Sequence, residues 1–325
     1  MNIRRLLTLI SVPLILFCII SCKEKEEAAE YKLLNGSLRF EIPQYIEQDA
    51  TLTMKPSGVS HPEGKEIGYA WKVSTPMDKP DTVKTADGSF TYTFPDTLKA
   101  YTVYCYAFAK GYTTSSRTKE CSVVKGGING SITNIDFSKA RTEDIDGKTY
   151  HYVTIGNLDW MCRNISDASA GTPYMGCSAM DDVFGRYYSY DEAIAICPQG
   201  WRLPTDAEWD SLMEVNEGTV AASLMANAYF NDELMWEFWP EVGDITNATG
   251  FSALPTGYAM LGNGNNGLYP AAQFKGYKEY SVFWTATEAD ETGMAYFRYL
   301  IANQPELMKN KGDKKSFGAS VRCVR

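Results

Sequence analysis

Apolar and polar residues alternate in short runs through the first part of the chain. Leu38, Phe40 and Ile42 are separated by Arg39 and Glu41. Ile67, Tyr69, Trp71 and Val73 are separated by Gly68, Ala70 and Lys72, and Phe90, Tyr92 and Phe94 by Thr91 and Thr93. A period of two puts successive side chains on opposite faces of a strand, and the Pro-, Gly- and Asp-bearing stretches between runs are turns. Residues 32–125 are therefore predicted to form an all-β sandwich. Tyr104, Tyr106 and Phe108 fall on every second position and read as a packed sheet face, not a ligand platform.

The pattern changes beyond Lys125-Gly126-Gly127-Ile128-Asn129-Gly130-Ser131, whose composition predicts a flexible linker over 126–141. Asp146-Gly147 between apolar runs predicts an opening hairpin that continues to Trp160-Met161. Ser189 with Glu192, and Thr205 with Glu208, fit the capping box that starts a helix. Tyr190, Ala193, Ile194 and Cys197 then recur at helical spacing, as do Trp209, Leu212 and Met213. From Gly218 to about residue 280 the chain is Gly- and Asn-rich without clear periodicity. Strands return at Ser281 to Trp284, Ala295 to Leu300 and Phe317 to Val324. Residues 142–325 thus read as an α+β domain, and the whole chain as multidomain.

The first residues speak for export. Arg4 and Arg5 precede an apolar run from Leu6 to Ile20, which is short for a membrane-spanning helix and suits a signal peptide over 1–21. Ile19-Ile20-Ser21-Cys22 resembles a bacterial lipobox, which implies that Cys22 is lipidated and becomes the mature N-terminus. A plain secretory signal is the alternative. Lys23-Glu24-Lys25-Glu26-Glu27 opens a charged tether over 22–31 that resembles those carrying some lipoproteins to the outer face of the outer membrane. A solvated linker is the alternative there. The formal net charge is −9; removal of residues 1–21 takes away Arg4 and Arg5 and no acid, leaving −11. So acidic a surface argues against nucleic-acid binding, and it keeps the chain off anionic lipid except through its anchor.

Cys105, Cys121, Cys162, Cys177, Cys197 and Cys323 remain outside the signal and the lipobox. In an oxidising compartment they are expected to form up to three bridges, with the connectivity open. Cys105 and Cys121 are equidistant from Thr113 and would face each other across a regular hairpin centred there. Cys177 is the nearest candidate partner of Cys162. The two histidines, His61 and His151, and the lack of any Cys-x2-Cys pair leave no zinc signature.

The catalytic inventory is poor. The chain has no Gly-x-Ser-x-Gly, no phosphate-cradling glycine loop and no His-Glu-x-x-His. Neither an enzymatic activity nor a cofactor is expected. Gln304-Pro305-Glu306 reads as a turn, not as a calcium-binding tripeptide, and Glu288, Asp290 and Glu291 as a solvated acidic loop. No metal is expected. Trp160, Trp201, Trp209 and Trp284 sit among periodic apolar neighbours and read as core. Trp236 and Trp239 lie in the long loop region, followed by Asn263, Asn265, Asn266 and Tyr269. Aromatic faces beside amides suit sugar rings, so these six are the candidate ligand-binding residues, with a hydrophobic plug as the bland alternative.

Cys197-Pro198-Gln199-Gly200-Trp201-Arg202-Leu203-Pro204-Thr205, Gly250-Phe251-Ser252-Ala253-Leu254-Pro255-Thr256-Gly257-Tyr258 and Ser320-Val321-Arg322-Cys323-Val324 together resemble the Fibrobacter succinogenes major paralogous domain, over about residues 142–325. The resemblance implies a C-type-lectin-like fold and a Cys197–Cys323 bridge from first helix to last strand. Where that family more often reads Trp-Met-Ala-Glu-Asn-Leu, this chain has Trp160-Met161-Cys162-Arg163-Asn164-Ile165. Trp71, Phe94-Pro95-Asp96 and Tyr101 to Ala107 resemble the PKD-like branch of immunoglobulin-like folds, without its Gly-Asp-Gly turn. The reading that follows is a non-catalytic surface lipoprotein for adhesion or glycan binding. The alternative is a structural subunit of a cell-surface complex that binds only protein.

Overall fold

The computed structural model describes residues 32–97, 100–214, 218–262 and 271–325. The chain is β-rich, with helices of one or two turns. Cys22 and the signal and tether segments lie outside the described residues. Among the described residues no helix is long and apolar enough to cross a membrane.

The first unit is built from strands alone. Tyr45–Glu47, Ser115–Val124, Tyr101–Phe108, Gly68–Ser74 and Val83–Thr85 form one sheet in that order, with the first pair parallel and the rest antiparallel. Asn35–Arg39 pairs with Ser57–Ser60, and Thr51–Met54 with Phe90–Thr93. Alternation on Tyr101–Phe108 buries Tyr101, Val103, Cys105 and Ala107 and leaves Tyr104, Tyr106 and Phe108 half-exposed. The buried set meets Phe40, Trp71, Phe94 and Val123 in one core. The Trp71 indole N–H, which would be costly to bury unpaired, donates to the Gly88 carbonyl at 2.8 Å. On the half-exposed face, Lys72 and Lys84 cover Tyr104 and Phe108 with their ammonium groups.

The expected Cys105–Cys121 bridge is absent, because the hairpin folds about Gly111 and not Thr113. In the observed register Cys105 lies opposite Arg117, and Cys121 opposite Tyr101. Gly111 has φ +80, a conformation in which a glycine turns the chain without strain. Both thiols are free and buried, and burial pushes each up to about 12.

The glycine-rich joint is packed. Lys125 N–H donates to Ser131 Oγ at 2.9 Å, and Ser131 N–H returns to the Lys125 carbonyl at 2.8 Å. Gly127 N–H donates to the Asp182 carbonyl, and a β-carbon on Gly126 would lie 2.6 Å from that of Asp182. Ile132–Thr133 pairs with Tyr229–Phe230. Tyr45 from the first unit sits 5.9 Å from Tyr174 and 6.2 Å from Phe230, centroid to centroid. Glycine here permits close approach and positive φ, and tertiary contacts remove the freedom that its composition suggests.

Beyond the joint, Arg141–Ile145, Lys148–Ile155 and Leu158–Met161 form an antiparallel meander, the predicted opening hairpin extended by one strand. Both capping boxes are present, at Ser189 with Glu192 and at Thr205 with Glu208. The helix Tyr190–Ala195 buries Tyr190 and Ala193, whereas Ile194 faces solvent. Such a short helix touches the core through one narrow stripe, and Ile194 falls outside it. Likewise Trp209 and Leu212 are buried while Met213 is exposed. Tyr280–Glu288, Met294–Ile301 and Met308–Asp313 form a second antiparallel sheet, and Gln273–Lys275, Tyr258–Met260 and Phe317–Gly318 a third. Trp160, Trp209, Trp236, Phe251 and Phe283 fill one core, and Trp201 and Trp284 another. Cys197 and Cys323 are bonded.

Candidate functional site

The loop tryptophans part company. Trp236 is 1% exposed, and its indole N–H donates to the Ala253 carbonyl at 3.0 Å. It is a core residue and offers no face to a ligand. Trp239 is 38% exposed and lines an open hollow. Asn263, Asn265, Asn266 and Tyr269 lie outside the described residues. Cys162 and Cys177 are free and buried, so proximity in sequence does not pair them; burial raises the Cys162 thiol to about 11. Cys177 belongs instead to the aromatic cluster around Tyr174 and Phe184. Among the described residues no three His, Cys, Asp or Glu side chains are grouped to hold a metal. Glu288 is paired with Lys314 and Glu291 with Lys311, so two of the three acids of that loop are held by lysines of the protein. Gln304-Pro305-Glu306 lies in the turn after Ile301, where Gln304 N–H donates to the Ile301 carbonyl.

An open aromatic hollow lies on the second sheet. Strands Tyr280–Glu288 and Met294–Ile301 pair Tyr280 with Ile301, Val282 with Tyr299 and Trp284 with Phe297. Alternation sends these six side chains to one face. Trp284 and Val282 are buried, but Tyr280, Phe297 and Tyr299 are only half-buried. Phe317 from the last strand stacks on Phe297, centroids 4.7 Å apart and planes 21° off parallel. It fits because Gly312 on the neighbouring strand has no side chain: a β-carbon there would come 2.7 Å from the Phe317 ring. Tyr258 closes the far wall, 5.4 Å from Phe317 and 6.1 Å from Tyr280.

These rings enclose a hollow of about 390 Å³, open to solvent, with Asn310 and Lys311 on its rim. The hydroxyls of Tyr258, Tyr280 and Tyr299 have no hydrogen-bond partner among the described residues. Burial, with Glu279 nearby, raises the Tyr280 phenol above its ordinary value, so it stays a neutral donor at physiological pH. A trough of aromatic faces with free hydroxyls presents apolar area and directional polar groups together. Such a surface suits a ligand that is itself apolar on its faces and polar around its edge.

The sequence marked none of these five aromatics as a site. The available signal was the side-by-side period-two spacing of Tyr280, Val282 and Trp284 with Phe297, Tyr299 and Ile301.

The model of the Fibrobacter succinogenes major domain matches residues 153–325, more than half of the chain. The chain belongs to that family. No curated protein matches it. The matched region contains the groove, the bridge and all three sequence signatures.

Proposed function

We propose that this chain is a non-catalytic lipoprotein of the outer cell surface, whose C-terminal head binds a glycan in the aromatic groove. The groove of Tyr258, Tyr280, Phe297, Tyr299 and Phe317 carries this reading. Sugar rings have apolar C–H faces and a rim of hydroxyls, and the groove matches both with ring faces and unpartnered phenols. Adhesion through such a head needs no metal and no cofactor.

The fold reading agrees. A buried Trp71 beneath two strand layers supports an immunoglobulin-like spacer. The bridge from the Tyr190–Ala195 helix end to the last residues, beside an antiparallel sheet, supports a C-type-lectin-like head. The lipobox at Cys22 supports an anchor, and the acidic tether that follows supports outward display.

The test is a glycan array probed with the whole mature chain and with Tyr299→Ala. Glycan spots that bind wild type and lose the variant support the reading. An array on which nothing binds, combined with capture of a surface protein that Tyr299→Ala leaves unchanged, favours a structural subunit. For the anchor, Cys22→Ala should leave unprocessed precursor; normal processing and detergent partitioning of that variant would contradict it.

A further inference from the structure

The aromatic groove does not end at Tyr280. The same side chain lines a second open hollow of about 360 Å³, whose other walls include Trp239, Tyr277, Ile301 and Asn303. From Phe297 to Ile301 the sheet face runs four residues, about 13 Å at about 3.3 Å per residue, and Trp239 extends it further. That is more than one sugar ring covers, so the surface suits a chain of rings.

The turn that presents the second hollow is fixed by its backbone. Glu279 and Tyr280 N–H both donate to the Gly276 carbonyl. Gly276 has φ +71, and a β-carbon on it would lie 2.6 Å from the Tyr280 ring. Only glycine lets Tyr280 stand where the two hollows meet.

The polar lining of the two hollows differs. Glu237 and Glu279 are exposed on the rim of the Trp239 hollow, and neither carboxylate has a hydrogen-bond or ion-pair partner among the described residues. Its lysine, Lys278, is bound to Glu233 at 3.0 Å. Asn303 Oδ1 is buried without a hydrogen-bond partner. Carboxylates are acceptors only, so this end calls for donors and for positive charge.

We propose that the ligand is a linear glycan bearing free amino groups, with rings over Tyr299 and Phe297 and an amine-bearing unit beside Trp239, Glu237 and Glu279. The proposal rests on the glycan reading above and adds to it the ligand's length and charge. Polyuronates and sulfated glycans are excluded, because their anions would meet Glu237 and Glu279.

Titration calorimetry with the whole mature chain tests this against three tetramers: β-1,4-linked glucosamine, its N-acetylated form and β-1,4-linked glucose. The glucosamine tetramer should bind roughly three- to tenfold more tightly than the other two at low salt, as expected for exposed ion pairs. Glu237→Gln with Glu279→Gln should remove that preference, bringing the glucosamine tetramer to the affinity of its N-acetylated form. Trp239→Ala should weaken all three by about tenfold, since a stacked ring face is lost. All of these residues are exposed, so the variants keep the fold.

Equal binding of the three tetramers that Tyr299→Ala still abolishes would overturn the amine claim and leave the glycan reading standing. No binding of any tetramer, or binding that Tyr299→Ala does not weaken, would overturn both. A lysine-rich peptide that binds as tightly as the glucosamine tetramer would show that amines are recognised on any backbone, which also overturns the proposal.

Discussion

The Arg322 guanidinium lies 4.7 Å from the Phe251 ring centroid and donates to the Phe251 carbonyl at 2.7 Å. It also donates to the carbonyls of Met161 and Ser252 and to Asn164 Oδ1. Three segments far apart in sequence therefore meet on one side chain: Met161 to Asn164, Gly250-Phe251-Ser252 and Val321-Arg322-Cys323. Among the described residues no carboxylate pairs with it, and complete burial pulls its basicity down to about 9, so at neutral pH it is a buried cation held by neutral oxygens.

Replacing Arg322 with Ala should cost more than about 3 kcal/mol, because it orphans three buried carbonyls and the half-buried Asn164 amide oxygen at once. Arg322→Lys should recover only part of this, since an ammonium has no planar fork to reach them all. Urea unfolding of both variants is the measurement. A loss below about 1 kcal/mol for Arg322→Ala would contradict the account.

Free thiols give a second check. Unfolded without reductant, residues 32–325 should expose reactive Cys105, Cys121, Cys162 and Cys177, with Cys197 and Cys323 blocked. In the native state all four are buried and should resist alkylation. Reducing the bridge, which closes a loop of 126 residues, should lower stability by about 4–5 kcal/mol on chain entropy alone. Mass spectrometry after alkylation decides the pairing.

Acid sensitivity should concentrate at the second capping box. The Arg202 hydrogen bond, aided by the backbone and hydroxyl of Thr205, holds Glu208 down at about 2. A carboxylate depressed on folding stabilises fully above its unfolded value, near 4.5, and loses that contribution as pH falls towards 2. The stability gap between wild type and Glu208→Gln should therefore be constant above about pH 5 and shrink below about pH 4. Thr205→Ala should cost about 1 kcal/mol at neutral pH. Thermal melts across pH test both, and a gap that widens in acid would have the wrong sign.

The joint should behave as structure. Lys125 is an exposed trypsin site by sequence, but its N–H and carbonyl are both tied to Ser131. Native chain should resist cleavage there, while Ser131→Ala should be cut faster by about an order of magnitude, in line with a lost buried hydrogen bond. Equal rates would mean that the hydrogen bonds do not hold the joint.

What the sequence disclosed was local. Strand alternation around Trp71 and the two capping boxes depend on residues a few positions apart, and they appear as read. Register and burial depend on distant partners. Cys105 misses Cys121 because the turn folds two residues earlier than symmetry about Thr113 suggests. Trp236 is buried in the core that holds Phe251 and bonded to Ala253, neither of which its own segment reveals. The glycine-rich joint is immobilised by Asp182, some 55 residues away. The groove draws Tyr258, Tyr280, Phe297 with Tyr299, and Phe317 from four segments, so its aromatics looked like ordinary strand residues.

The most direct measurement of the central claim is hydroxyl-radical footprinting of the whole mature chain, with and without saturating glucosamine tetramer. The account predicts that the ligand protects Tyr258, Tyr280, Phe297, Tyr299 and Trp239, and leaves Tyr104, Tyr106 and Phe238 as reactive as before. Phe238, 64% exposed beside Trp239 but outside either hollow, is the internal control. Protection confined to other residues, or none at saturation, would contradict a glycan site in this groove.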